Sequence, residues 1–240
     1  MIYKELIARL EQHKLFAILI DPEETTPADV EKLAPFLDPD VVDYILVGGS
    51  LVSQPTDALI ERIHQYVSIP VILFPGSVYQ LSGKADALLL LSLISGRNPE
   101  FLIGHHVVAA PIIRTLGLET IPTGYIIIGD GKTSAVEYMS NTLPIPPDKT
   151  DLILATALAG EYLGQQLIYL ERGSGASEPI DAEIITKVKQ ELTIPLVIGG
   201  GIRTVEQARE LFHAGADMLV AGTRIEQDPG FIRQLGKIKR

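Results

Sequence analysis

At 240 residues the chain is long enough for one large domain or two small ones, and its 46% hydrophobic, 6% aromatic composition predicts an aliphatic core. Thirty acidic residues against twenty basic ones leave a net charge of −10, which argues against a nucleic-acid binder, whose surface is more often basic. The absence of cysteine rules out disulfides and thiolate metal sites and fits a reducing cytoplasm.

The N-terminal stretch "MIYKELIARLEQHKLF" mixes charges among its apolar residues, unlike a signal peptide. Eight short apolar runs follow. They are "FAILID" (16–21), "YILVGGS" (44–50), "PVILFPGS" (70–77), "ALLLLS" (87–92), "ETIPTGYIII" (119–128), "QLIYLE" (166–171), "PLVIGG" (195–200) and "DMLVAG" (217–222). Each has the length and aliphatic character of a strand buried on both faces. The longest greasy run, residues 87–94, is far short of the roughly 20 residues of a membrane span.

Helix signals fill the gaps between runs. Thr26 is placed to cap a helix that opens on Pro27. Thr204 and Gln207 have capping-box spacing, and Val205, Ala208, Leu211 and Phe212 recur at helical period before Gly215. "EPIDAEIITKVKQEL" reads as a third helix, while "GRNPEFLIGHHVVAAPIIRTLG" carries a poorer pattern and "NTLPIPPDKT" is a proline-rich loop. Eight β-α alternations predict a single (β/α)8 TIM barrel over residues 1–240, with an open doubly wound sheet as the alternative.

A barrel of this kind carries its chemistry on the loops after its strands. Gly199-Gly200-Gly201 follows the seventh run and Gly222-Thr223 the eighth, where backbone N–H groups can cradle a phosphate. A tight strand-to-helix turn explains one glycine triplet equally well; the pairing of the two loops favours phosphate. After the sixth run, Glu171 is a candidate to orient or deprotonate a substrate hydroxyl, unless it is merely paired with Arg172. Gly173, Ser174 and Gly175 continue it as a polar loop. Asp21, after the first run, suits Mg²⁺ shared with substrate phosphates, although a turn cap explains it as well; Ser50, after the second, can add an oxygen. Arg97 and Asn98 are placed to face a second anion. Histidines 13, 64, 105, 106 and 213 show no metal-ligand spacing, and the basic residues Arg233, Lys237, Lys239 and Arg240 complement a helix dipole, with a membrane surface as the outside alternative.

Taken together, "IDPE", "LVGGS", "LISGRNPEFLIG", "YLERGSGA", "IGGGIRT" and "VAGT" resemble the geranylgeranylglyceryl phosphate synthase family, the PcrB-like prenyltransferases, in its longer, largely archaeal branch. The resemblance spans essentially the whole chain. It implies a TIM-barrel enzyme that joins a polyprenyl diphosphate to sn-glycerol 1-phosphate, making an ether-lipid precursor. By the same resemblance Asp21 and Ser50 match the Mg²⁺ positions. Tyr169, Leu170, Glu171, Arg172, Gly173, Ser174, Gly175, Gly200, Gly201, Gly222 and Thr223 match the glycerol-phosphate site, with Glu171 holding the attacking hydroxyl. Family members often carry a lysine just before or after the Asp-Pro pair, where this chain has Leu19 and Glu24; Arg97, Lys132 or Arg172 are candidates to compensate.

Three alternatives stay open on the sequence. They are a longer, heptaprenyl donor; a phosphosugar isomerase or lyase on the same barrel; and a non-catalytic phosphate-binding barrel. Within the isomerase or lyase alternative, the lack of any lysine in the eight runs counts against an aldolase. Small residues on the apolar segment "ILATALAGEYLG" are consistent with a homo-oligomer interface and equally with core packing. A cytoplasmic enzyme with transient membrane-surface contact for product release completes the expectation.

Overall fold

All eight apolar runs become strands, and these lie parallel in chain order around a closed barrel. They are β1 (Leu15–Ile20), β2 (Tyr44–Val47), β3 (Val71–Leu73), β4 (Ala87–Leu93), β5 (Glu119–Ile127), β6 (Leu167–Glu171), β7 (Leu196–Gly199) and β8 (Met218–Ala221). The computed structural model describes residues 1–129 and 131–238. Every residue of β2, β3, β6, β7 and β8 is buried, as expected of strands covered on both faces.

The helices are α1 (Ile2–Leu10), α2 (Pro27–Leu33), α3 (Asp57–Tyr66), α4 (His105–Leu116), α5 (Ala135–Ser140), α6 (Thr150–Tyr162), α7 (Ala182–Glu191), α8 (Val205–His213), α9 (Thr223–Gln227) and α10 (Phe231–Leu235). The connection from β3 to β4 differs from the regular alternation. Among the described residues it holds a single 3₁₀ turn, Val78–Gln80, where a full helix would normally lie. No helix among the described residues is long and apolar enough to cross a membrane.

Two compact units divide the chain. One comprises Met1–Leu89, Val107–Ile121 and the chain from Gly222; the other comprises Leu90–His106 and Pro122–Ala221. In the first, β1, β2 and β3 pair in register, Leu46 lying between Leu19 and Ile72. Beneath β1 and β2, the buried Asp43 carboxylate accepts from the Phe16 N–H at 2.8 Å and pairs with Arg9 and His13. Thr26 and Asp29 close a capping box at α2, so the predicted start at Pro27 holds. Arg233 lies over the Phe36 ring at 4.7 Å and donates to the Pro35 carbonyl, a more specific role than dipole compensation. Lys239 and Arg240 lie outside the described residues.

In the second unit β5, β6, β7 and β8 pair in sequence, aligning Tyr125 with Tyr169 and Glu171 with Gly199. The capping box at α8 forms as its spacing predicts, Thr204 Oγ1 accepting from Gln207 N–H and Gln207 Oε1 from Thr204 N–H. Some of the small residues of α6 pack into this unit's own core, while Ala155 and Ala159 are exposed. Ala157 and Gly160 are buried, and a methyl on Gly160 would meet the Ile94 and Ile168 side chains at 2.8 and 2.9 Å. The poorly patterned stretch before β5 forms a wide π turn, Glu100–Gly104, leading into α4, which carries Pro111 internally. Its pattern is imperfect because Val107, Val108 and Ile112 face solvent.

Candidate active site

Strand alternation puts Tyr169 and Glu171 on one face of β6, with Leu170 pointing the other way. Tyr125 on β5 is the register partner of Tyr169, and the two rings meet edge to face with centroids 5.4 Å apart. Both hydroxyls reach the Glu171 carboxylate, which also accepts the Gly173 N–H at 2.7 Å. Glu171 is only 6% exposed. Burial raises its pKa from the ordinary 4.5 to about 7, although the N–H groups of Gly173 and Arg172 and the two tyrosine hydroxyls pull the other way. The same burial, with the carboxylate nearby, pushes both tyrosines well above their usual value, so they act as neutral donors. The pairing of Glu171 with the Arg172 side chain does not form. That guanidinium instead lines a cavity of about 430 Å³ together with Asp148, Glu178, Asp181 and Glu183, its buried Nε without a hydrogen-bond partner.

The glycine triplet has a packing explanation as well as a phosphate one. A methyl on Gly199 would stand 2.1 Å from the Tyr169 hydroxyl, so that position makes room for the ring. At Gly200, φ is +81° and a methyl would fall 2.6 Å from Glu171 Oε1. Glycine there both adopts the left-handed turn and leaves space for the carboxylate. Gly201 follows with φ +75°, against the Glu178 backbone. Arg203 then binds the turn to the Gly173–Ala176 stretch by donating to the carbonyls of Ala176 (3.0 Å) and Gly175 (3.4 Å). Ser174 and Gly175 sit in this second loop, Gly175 at φ +75°.

In the other unit, Asp21 ends the β1 region half-buried and accepts the Glu23 N–H at 3.0 Å. Burial raises its pKa, with Glu24 and Glu23 adding to the rise. Glu226 on α9 is raised too, mainly by burial and then by Asp21 and Glu24. Gly49 lies against the Asp21 carboxylate, and Ser50 follows it. Gly222 caps the start of α9, whose first residue is Thr223. Among the described residues no group of three or more His, Asp or Glu side chains forms a metal cage. The donor set fits Mg²⁺ only in its shared mode, one carboxylate and a hydroxyl completed by substrate phosphate and water, with the surrounding negative charge favouring a cation.

Arg97 and Asn98 are engaged within the chain. Arg97 donates to the Gly96 carbonyl at 2.7 Å, and Asn98 Nδ2 donates to the Ser140 carbonyl at 2.7 Å. Tyr125 and Arg203 belong to the cradle around Glu171 and were not named as site residues by sequence, whereas Gly199 was, as part of the glycine triplet. Tyr125 is part of an apolar run, and only its pairing with Tyr169 reveals it. Arg203 stands in the "IGGGIRT" motif, but its targets are main-chain carbonyls that no sequence pattern marks.

A buried carboxyl at a strand's C-terminal end, cradled by two tyrosines and turning glycines, defines a TIM-barrel enzyme equipped to handle a hydroxyl-bearing substrate. A family model described as the PcrB family matches residues 8–239. Geranylgeranylglyceryl phosphate synthase of Spirosoma linguale is 47% identical over 97% of this chain and 94% of its own. The enzyme of the same name from Chitinophaga pinensis is 46% identical over 98% and 94%. The crystal structure of (S)-3-O-geranylgeranylglyceryl phosphate synthase from Thermoplasma acidophilum with its substrate sn-glycerol-1-phosphate superposes with a TM-score of 0.92, at 34% identity, covering 99% of this chain and 96% of that one. The chain belongs to the PcrB family.

Proposed function

We propose that this chain transfers a geranylgeranyl group from its diphosphate to the 3-hydroxyl of sn-glycerol 1-phosphate, giving geranylgeranylglyceryl phosphate and diphosphate. The observation that carries this reading is Glu171, a buried carboxyl raised to about 7 in a cradle of neutral tyrosines. Ionised near neutrality, it holds the glycerol hydroxyl and takes its proton as the oxygen–C1 bond forms; the allylic C1–O bond breaks and diphosphate leaves with the electron pair. Tyr169 and Tyr125 fix the carboxylate. The backbone of Gly173, Ser174, Gly175, Gly200 and Gly201, with Arg172 beside it, binds glycerol phosphate, and Gly222 and Thr223 contribute phosphate-facing N–H groups.

Asp21 and Ser50 are the residues that would hold Mg²⁺, which when bound neutralises charge on the departing diphosphate. Arg97, Lys132 and Arg172 remain the candidates to compensate for the missing lysine, and alanine substitution of each, read as diphosphate affinity, tests them. The cysteine-free sequence supports a cytoplasmic setting, with brief contact with a membrane surface to release product. Exposed apolar residues suited to self-association lie on α4 at Val107, Val108 and Ile112 and on α6 at Leu152, Ala155 and Ala159; light scattering measures whether the chain associates.

The deciding experiment follows labelled sn-glycerol 1-phosphate into organic-extractable product with geranylgeranyl diphosphate and Mg²⁺. Parallel reactions use the sn-3 enantiomer, heptaprenyl diphosphate, and EDTA. Enantiomer-selective, EDTA-sensitive product with the geranylgeranyl donor is the expected result. A folded chain that binds glycerol phosphate yet forms no product with either donor overturns the proposal.

A further inference from the structure

The turn after β2 runs from Gly48 to the start of α3 at Asp57 without regular structure, yet it carries Ser50 and backs onto Asp21. What holds it is Gln80, the last residue of the single turn that follows β3. Gln80 is 1% exposed. Its Nε2 donates to the Gly49 carbonyl at 2.8 Å, and its Oε1 accepts the N–H groups of Gly49 and Gly76, each at 3.3 Å. The donors and acceptor assign the amide's orientation without ambiguity. The main-chain carbonyl of Gln80 in turn accepts from the buried Thr56 hydroxyl at 3.3 Å, just before α3. One side chain therefore grips both polar groups of Gly49 and ties three loop segments together.

The packing around Gly49 leaves no slack. A methyl there would lie 2.6 and 2.7 Å from the two Asp21 carboxylate oxygens. From the opposite side, a methyl on Gly76 would lie 2.5 Å from the Gly49 carbonyl oxygen and 3.1 Å from Ser50 Cα. The Gly49 peptide is thus the wall against which Asp21 rests, and a shift of that wall moves Ser50 with it. Gln80 bonds to the Gly49 backbone on both sides of the peptide, and its influence on Asp21 and Ser50 passes through that backbone.

We infer that Gln80 is a positioning residue for the diphosphate side of the reaction, setting the Gly49 backbone that braces Asp21 and carries Ser50. This rests on the proposed role of Asp21 and Ser50. Glutamine suits the task because it is the right length and offers both a donor and an acceptor. An ionised glutamate cannot donate to the Gly49 carbonyl, and methionine fills the volume but takes the side-chain partner from three part-buried backbone groups.

The test uses the full chain and inorganic diphosphate with MgCl₂ as the probe, titrated calorimetrically without prenyl substrate. KM for each substrate and hydrogen exchange at Gly49 and Ser50 are measured in parallel. Gln80→Met and Gln80→Glu are expected to weaken Mg-diphosphate binding and raise the prenyl diphosphate KM by about tenfold or more, as lost outer support does at metal sites. Affinity for sn-glycerol 1-phosphate should stay about level, and exchange at Gly49 and Ser50 should quicken. Gly76→Ala, which keeps Gln80 but presses on the Gly49 carbonyl, should reproduce the selective loss independently. Unchanged diphosphate binding in Gln80→Met and Gly76→Ala, alongside a loss in Asp21→Asn, overturns this inference and leaves the proposed function standing. A parallel fall in glycerol phosphate affinity also overturns it, by showing a general structural role. Unchanged diphosphate binding in Asp21→Asn itself refutes the underlying reading of Asp21.

Discussion

Replacing Glu171 by glutamine should make the protein more stable at alkaline pH while removing its activity. In the folded state burial raises this carboxyl from 4.5 to about 7, so the fold prefers the protonated form. The stabilisation that goes with the bound proton is therefore complete below pH 4.5 and is lost as pH rises through 7. Linkage puts the cost of ionising Glu171 at roughly 1 kcal/mol at pH 5.5 and roughly 3 kcal/mol at pH 8. Glutamine never ionises. Its oxygen can keep the Gly173 N–H, while its NH₂ group faces hydroxyls that must reorient, an offset of about 1 kcal/mol that does not depend on pH. The stability difference between variant and wild type should then grow by about 2 kcal/mol between pH 5.5 and pH 8. Urea unfolding of both proteins at the two pH values measures it, provided the m-value is the same. For a chain of this size the corresponding change in melting temperature is roughly 4–8 °C. A difference that is constant across the two pH values would refute a buried carboxyl near 7, and retained turnover in the variant would refute its role as the base.

In the wild type kcat/KM should fall about tenfold per pH unit below 7, because the base must be ionised; a flat profile from pH 5.5 to 8 would contradict this. Tyr169→Phe and Tyr125→Phe each remove a hydroxyl that holds the Glu171 pKa down, so the acid limb of the pH–rate profile should move upward in both, more so for Tyr169, whose bond weighs more. Gly199→Ala places a methyl 2.1 Å from the Tyr169 hydroxyl and should cost about 1–3 kcal/mol in unfolding experiments together with most of the activity. Asp43→Ala leaves the Phe16 N–H and the Arg9 guanidinium without their buried acceptor; it should destabilise the fold by about 3 kcal/mol yet leave the KM for sn-glycerol 1-phosphate near wild type. EDTA should abolish turnover without lowering the melting temperature, since no cage of three or more His, Asp or Glu side chains forms among the described residues.

The strands, the capped helices and the strand-end or loop positions of Asp21, Glu171 and the glycines were legible in the chain because they rest on local physics. Aliphatic stretches of three to nine residues bury both faces here as strands of a covered parallel sheet, and Thr26-Pro27 and Thr204-Gln207 satisfy helix N–H groups within one turn. Only the tertiary structure decided the state of those residues. Register across β5 and β6 pairs Tyr125 with Tyr169 and encloses Glu171, and nothing adjacent in sequence sets the burial that raises its pKa. The reason for three successive glycines is likewise non-local, since the Tyr169 ring, the Glu171 carboxylate and the Glu178 backbone fill the places their side chains would take. Gln80 is the clearest case. A lone polar residue between two apolar runs carries no signal until folding buries it against Gly49 and Gly76, where an unpaired amide would be too costly to keep.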